Sequence, residues 1–342
     1  MNRAEIDAIL CQSDLLTLAE RAGASPHREG SEYRMPCPLH AGENPSGFAI
    51  YNGKDGTQRW TCFTGDCGSG DAISFVQKWQ RLDFVKACEW FTGGKPIDPE
   101  AAKQMAAERA ERVARELEET IARAQAALAD LRSAQRHTEY HDNLDKCQAR
   151  QLWRLRGITD AMQDWLQLGY CPQFTAATKS GTLITPTLAI PIFGKGWELL
   201  NIRHRLLETL NPKDKYRSER AGLGPAAPFL FDPDYGYDTD RILWVEGEIK
   251  AMVVGQTLDI TGFQVIGLPG KSNWKSQAEH AKGKRNWICF DPGAEQDVMG
   301  FAHAIGGAQA FRLPDKIDDY ILANQLNKEW LTATLRNARR IQ

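Results

Sequence analysis

The sequence predicts an α/β protein with an N-terminal zinc ribbon, a long linker helix and a larger unit built on a mainly parallel sheet. Three observations predict it. Four metal-ligand residues fall near the N-terminus as two short-spaced pairs, Cys37-Pro-Leu-His40 and Cys62-Phe-Thr-Gly-Asp-Cys67. A stretch rich in Ala, Glu and Arg, free of Gly and Pro, runs from residue 101 to about 131. Beyond it, short apolar runs at 242–245, 265–268, 287–290 and 310–313 alternate with helical patterns, the signature of a covered parallel sheet.

Residues 1–30 read as a small helical entry, with Ile6, Ile9, Leu10, Leu15, Leu16 and Leu18 at roughly helical spacing. Residues 33–70 are rich in Gly, Pro and aromatics and predict short strands and turns, while 72–91 predict two short helices. Thr92-Gly-Gly-Lys-Pro96 then breaks the chain. Between 101 and 131 the apolar stripe is narrow: Val113, Leu117, Ile121, Leu128 and Leu131. A spacer helix between two domains is its reading, with a coiled-coil dimer as the alternative. Residues 183–193 and 197–204, joined through Gly194-Lys-Gly196, read as a strand pair. These features predict a zinc-ribbon domain over 1–96, a helical linker over 97–137 and an α/β unit over 138–342.

A length of 342 residues suits two or three domains. The 42 basic and 44 acidic side chains leave a formal charge of −2, which excludes a histone-like binder held by bulk charge but not a local basic groove. A mean hydropathy of −0.46 and the lack of a long apolar run predict no membrane span. The opening MNRAEIDAILCQSDLL has no apolar core with a cleavage site, so a cytoplasmic location is expected. In such a chain the eight cysteines favour a metal site over a disulfide framework. Zinc takes four tetrahedral N or S donors, and Cys37, His40, Cys62 and Cys67 supply all four. That is a closed, structural site. The remaining five cysteines are expected as buried thiols.

Cys37-Pro-Leu-His40, Asn44-Pro-Ser46, Phe48, Cys62-Phe63, Cys67 and Gly70-Asp-Ala-Ile-Ser-Phe-Val76 resemble the zinc-binding domain of bacterial DnaG-type primases. The second knuckle departs from the usual form, with four intervening residues where two are common. Further along, Leu155-Arg-Gly-Ile-Thr159, Leu168-Gly-Tyr170, Ile190-Pro-Ile192, Arg203, Arg205 and Lys215-Tyr-Arg-Ser218 resemble the primase catalytic core. Val245-Glu-Gly247, Asp291 and Asp318-Asp-Tyr320 resemble the acidic positions of its Toprim subdomain. Glu246-Gly-Glu-Ile-Lys-Ala251 is most similar to phage- and plasmid-borne members. The resemblance implies the first part of the core over 138–238 and a Toprim-like, mainly parallel sheet over 239–342.

What it implies for activity is a nucleotidyltransferase, a DNA-directed RNA polymerase making short RNA primers on single-stranded DNA with Mg2+ or Mn2+. Glu246 ends one predicted strand and Asp291 another, while Asp318 and Asp319 follow the run ending at residue 313. In open α/β sheets ligands gather at such strand ends. The resemblance makes Glu246 the acid/base or metal-organising group and Asp291, Asp318 and Asp319 metal ligands. Where the family usually has Asp-x-Asp, this chain has Gly293 as the last residue, which leaves Glu295 or Asp297 to reach in. Lys250 stands where classical primases often carry another acid.

Charge is local rather than global. Residues 201–220 carry six basic and three acidic groups, and residues 271–286 carry five and one. Candidate contacts to template or triphosphate are Arg203, Arg205, Lys215, Tyr216, Lys250 and Lys271, of which Arg203, Arg205 and Lys215 match family positions. Lys213 belongs to the same basic segment, and Trp60, Phe63, Tyr216 and Trp274 offer flat faces for bases. The implied partners are single-stranded DNA, ribonucleoside triphosphates and a separate replicative helicase; DnaG-type proteins usually carry a further helicase-binding domain, which this chain is expected to lack. Two rival readings are a non-catalytic zinc-ribbon/Toprim accessory protein that binds DNA, and a Toprim nuclease.

Overall fold

The computed structural model describes residues 3–29, 32–53, 56–93, 99–178, 181–209, 215–221, 223, 226–259 and 262–341. Most of the expected break at 92–96, and Lys213, lie outside these residues. The chain divides into two compact units, Met1–Ala122 and Arg123–Gln342.

The first unit opens with helices α1 (Arg3–Gln12) and α2 (Leu15–Arg21), the latter capped by Asp14, whose carboxylate accepts the Leu16 N–H. Five short strands follow: β1 (His27–Glu29), β2 (Glu32–Met35), β3 (Phe48–Asn52), β4 (Gln58–Cys62) and β5 (Ser69–Gly70). They form one antiparallel sheet in sequence order. Helices α3 (Ala72–Gln80) and α4 (Phe84–Thr92) close the unit, and Asp71 and Ser74 form a reciprocal cap at the start of α3. The core is aromatic. Phe48 stacks on Trp60 at 5.4 Å, and the Trp60 indole donates to the Asp71 carbonyl at 2.8 Å. Trp60 is fully buried, so it offers no face to a base. Its ring serves the core because it points to the helix side of β4.

Helix α5 (Pro99–Ala134) crosses the division between the units. Among the described side chains of its stripe the C-terminal end is packed: Leu131 is buried against Phe193, Leu199 and Ile202, whereas Leu117 and Ile121 are exposed.

The second unit continues with α6 (Arg136–Lys146), α7 (Arg150–Arg154) and α8 (Asp160–Trp165). An antiparallel sheet follows in the order β6 (Gly169–Thr178), β7 (Gly181–Phe193), β8 (Leu199–Leu206) and β9 (Tyr216–Ser218). The predicted pair is its centre. Next come β10 (Phe229–Leu230), β11 (Arg241–Glu246), α9 (Glu248–Leu258), β12 (Gln264–Leu268), α10 (Trp274–Ala281), β13 (Arg285–Cys289) and α11 (Glu295–Ala304). The chain ends with β14 (Ala308–Ala310), α12 (Ile317–Ala323), α13 (Lys328–Arg336) and β15 (Arg339–Ile341).

This second sheet has the order β10-β12-β11-β13-β14-β15. Its four inner strands are parallel and both edges are antiparallel. Strand β11 shows why it is covered on both faces. Leu243 and Val245 enter the core shared with α9 and α12, while Ile242 and Trp244 enter the core on the other face, with Phe301. The fourth apolar run, 310–313, is for the most part not strand: β14 lies ahead of it and shares only Ala310 with it, so Asp318 and Asp319 sit on the first turn of α12 rather than at a strand end. Among the described residues no helix is long and apolar enough to cross a membrane.

Trp244 lies two residues before Glu246, and its indole donates to the buried Asn286 side-chain oxygen at 2.9 Å. Trp244→Ala is expected to destabilise the fold by about 3–5 kcal/mol through the cavity it leaves. Trp244→Phe, which strands the Asn286 acceptor, should lose about 1–3 kcal/mol. Chemical denaturation of both variants measures the two losses.

Candidate functional site

The four predicted zinc ligands come together. Cys37 lies just past β2, Cys62 ends β4 opposite Phe48, and Cys67 precedes β5. Their sulfurs and a His40 ring nitrogen all lie within 4.8 Å of one another. Bond lengths to zinc place the corners of a tetrahedral site about 3.5–3.8 Å apart. The Cys37 and Cys67 sulfurs are 3.9 Å apart, and His40 Nδ1 is 3.2 Å from Cys67 Sγ and 3.8 Å from Cys62 Sγ. The donor set fits zinc. Its chemistry is set by the backbone: burial pushes the Cys37 thiol up to about 12, against N–H donation from Leu39 and His40. Burial also raises Cys62, but the Thr64 N–H, the Cys37 sulfur, the Gly65 N–H and the Cys67 sulfur together bring that thiol below its ordinary value. The backbone of Gly42 and Gly65 presses on the His40 ring, where a Cβ would come within 2.7 and 2.9 Å. Beside the site Phe63 is exposed, with the Arg34 guanidinium 4.8 Å from its ring centre.

In the second unit, Glu246 and Asp291 stand at the carboxyl ends of the neighbouring parallel strands β11 and β13. Gly247, at φ +94°, turns the chain from β11 into α9, and its N–H donates to Leu268 of β12 at 2.7 Å. Glu246 lines a cleft of about 380 Å³ together with Arg203, Tyr216, Arg217, Ser218, Lys250 and Gly270. Strand β8 supplies one of its cations, Arg203, by alternation. Arg203 and Arg205 face one way; His204 faces the other, buried between Thr187 at 2.8 Å and Glu219 at 2.6 Å.

The cations are held. Arg203 is paired with the buried Glu248, a residue the sequence reading passed over. Arg205 donates to the Tyr216 hydroxyl at 3.1 Å, and burial raises the Tyr216 pKa, so this ring is a wall of the site more than a platform. Lys250, in the first turn of α9, places its ammonium 3.1 Å from Asp291. Arg156 was also missed as a site residue. Burial, and then the nearby Arg205, lower its pKa, and it feels the charges of Asp318 and Asp319. The Leu155-Arg-Gly157 motif carried that signal.

Asp318 is largely buried and its pKa is raised by that burial, against the pull of Lys250. Its Oδ1 has no hydrogen-bond partner. Asp319 is exposed. Glu295 pairs with Arg312 at 2.9 Å and accepts the Gly293 N–H at 3.4 Å, while Asp297 accepts the Trp274 indole at 3.2 Å. Gly293 has φ +89°, so the turn after Asp291 uses a glycine and provides no second carboxylate. Among the described residues, the Cys/His set is the only group of three or more ligand side chains within common reach of an ion. Glu246, Asp291, Asp318 and Asp319 form no such group among the described residues.

Lys215 is exposed, and Lys271 begins a single 3-10 turn after Gly270. The basic segment 271–286 is split between the two ends of the sheet: Lys271 follows β12, whereas Arg285 begins β13. Lys282 pairs with Glu279, Lys284 donates to the Tyr237 carbonyl, and Trp274 stacks on Phe301 at 5.6 Å.

Residues 1–106 match the family model of the CHC2 zinc finger. A DNA primase of Pasteurella multocida is 34% identical over 92 residues, which is 27% of this chain and 15% of that protein. A DNA primase of Thermotoga maritima is 39% identical over 72 residues, 21% of this chain and 12% of that one. The chain thus spans less than a sixth of these curated relatives. The zinc-binding and RNA polymerase domains of Aquifex aeolicus primase superpose with a TM-score of 0.49 at 19% identity, covering 98% of this chain and 86% of that one. A DnaG primase catalytic domain bound to single-stranded DNA gives 0.48 at 16% identity, over 64% of this chain and 83% of that one.

Elemental analysis of the purified chain should find one zinc, falling to near zero in Cys37→Ser. Because zinc needs thiolates and a neutral imidazole, its retention against a chelator should weaken steadily as pH falls.

Proposed function

We propose that the chain is a DNA primase, a DNA-directed RNA polymerase that joins ribonucleotides on a single-stranded DNA template. The observation that carries the reading is a CHC2-type zinc ribbon in the same chain as a cleft where a strand-end glutamate, Glu246, faces Arg203, Arg217 and Lys250. Such a cleft suits a Toprim-type sheet, with the acid at the carboxyl end of the central strand β11.

In the reaction a 3′ hydroxyl attacks the α-phosphate of a ribonucleoside triphosphate, and pyrophosphate leaves. A divalent ion, Mg2+ or Mn2+, supplies charge neutralisation to the triphosphate. The chain's own residues do the remaining work. Glu246 accepts the proton of the attacking hydroxyl or orders the ion. Arg217 and Lys250 hold phosphate oxygens, and Arg203 fixes the cleft wall through Glu248. Lys215, Lys271 and the Arg34–Phe63 face of the ribbon bind template, with Phe63 stacking on a base. A separate replicative helicase is the expected partner.

The test is synthesis from labelled ribonucleotides on single-stranded DNA with either metal. Glu246→Gln should reduce primer yield by about a hundredfold or more while template binding persists and weakens with added salt. No product from the wild type with either ion would overturn the proposal, and nicking of plasmid by the wild type would favour a nuclease instead.

A further inference from the structure

Most of the basic segment 271–286 lies away from the Glu246 cleft. Its last two cations, Lys284 and Arg285, meet Arg340 of β15 in a separate cleft of about 450 Å³. That cleft sits at the amino ends of β13 and β14, where Arg285 begins one strand and the Gly306-Gly307 turn leads into the other. Glu246 and Asp291 stand at the opposite, carboxyl ends. Strand β13 has five residues, so about 15 Å of sheet separates the two places.

The lining selects an anion. No acid is among its described lining residues. Lys284 is anchored on the Tyr237 carbonyl, a neutral acceptor, and the neighbouring Asp238 is paired with Lys195. Arg285 and Arg340 are exposed, and neither has an ion-pair partner among the described residues. Two guanidiniums and an ammonium around one cleft repel each other until an anion lies between them, and a guanidinium fork matches phosphate oxygens. Gly306, at φ +80°, has open space where a Cβ would stand, so the mouth is unobstructed. The single ring of the lining gives a base no platform. The Trp287 indole donates to the Leu335 carbonyl at 2.9 Å, and its ring packs 5.1 Å from Phe263. Charge without stacking suits the phosphates of a strand, not a nucleotide held by its base.

We infer that this cleft is a second nucleic-acid contact, which holds the phosphate backbone of a DNA single strand at the far end of the sheet from Glu246, whatever its base sequence. The inference rests on the reading of the chain as an enzyme that acts on DNA.

Fluorescence anisotropy of labelled single-stranded DNA, titrated with the zinc-loaded full chain at several salt concentrations, tests it. Arg285→Gln together with Arg340→Gln should weaken binding about tenfold or more, equally on different sequences. The log–log salt slope should become shallower by about 1.4, the value for two phosphate contacts to a single strand. Arg340→Gln alone should change it by about 0.7 and decides the matter if the double variant does not fold. Arg112→Gln with Arg115→Gln removes the same charge from exposed positions of α5, and should alter affinity less than about twofold. Equal losses in the two double variants, or none in the first, would overturn the inference and leave the proposed function standing. Binding of inorganic triphosphate that falls in the first variant while DNA binding holds would also overturn it, in favour of a small phosphate ligand. No DNA binding by the wild type would overturn both readings.

Discussion

The geometry of the cleft depends on the buried ion pair between Arg203 of β8 and Glu248 at the start of α9. Their side chains are 9% and 3% exposed. Removing two charges from water costs several kcal/mol per ion before their attraction is counted, so such a pair adds little net stability. Its force is directional: separating the partners leaves two uncompensated buried charges. Strand β8 and the first residue of α9 are therefore locked together. Glu246 lies two residues before Glu248, across the Gly247 turn, and Lys250 two residues after it. Both inherit their positions from that lock.

The lock adds a polar tie between two sheets that already share a core. Leu188, Ile190 and Ile192 of β7 share one core with Leu243 and Val245 of β11 and with most of the buried face of α9. Residues on alternate positions of β8 then divide the labour. Arg203 and Arg205 face the cleft side, and His204, clamped by Glu219, Thr187 and the stacked Phe174 ring, holds the opposite side rigid. A net charge of −2 is in this way compatible with a cleft rich in cations.

What the sequence made legible follows from how local each signal is. Zinc ligands announce themselves because coordination demands fixed residue types at short spacing, and all four came together. The inner parallel strands β11, β12 and β13 are legible because they are apolar on both faces. Strands β9, β10 and β15 have three, two and three residues, too few to show alternation, so the sheet edges were missed. Trp60 was read as a stacking face and is core, because an aromatic in a strand gives no sign of which side it faces. Arg203, Lys250 and Asp291 were singled out, but Glu248 was passed over and neither ion pair was foreseen, since ion pairs across separate elements leave no pattern in a linear chain.

The same reasoning separates the roles of the two strand-end acids. Asp291 is followed by Pro292 and by Gly293 at φ +89°, a turn that brings no second carboxylate, and its own charge is met by Lys250. Glu246 is followed by a glycine turn too, but it stands on the central strand and opens into the cleft. A fixed ammonium beside Asp291 is present at every ion concentration, whereas a metal must be captured from solution. The positive charge on that side of the cleft is therefore preorganised by the fold itself.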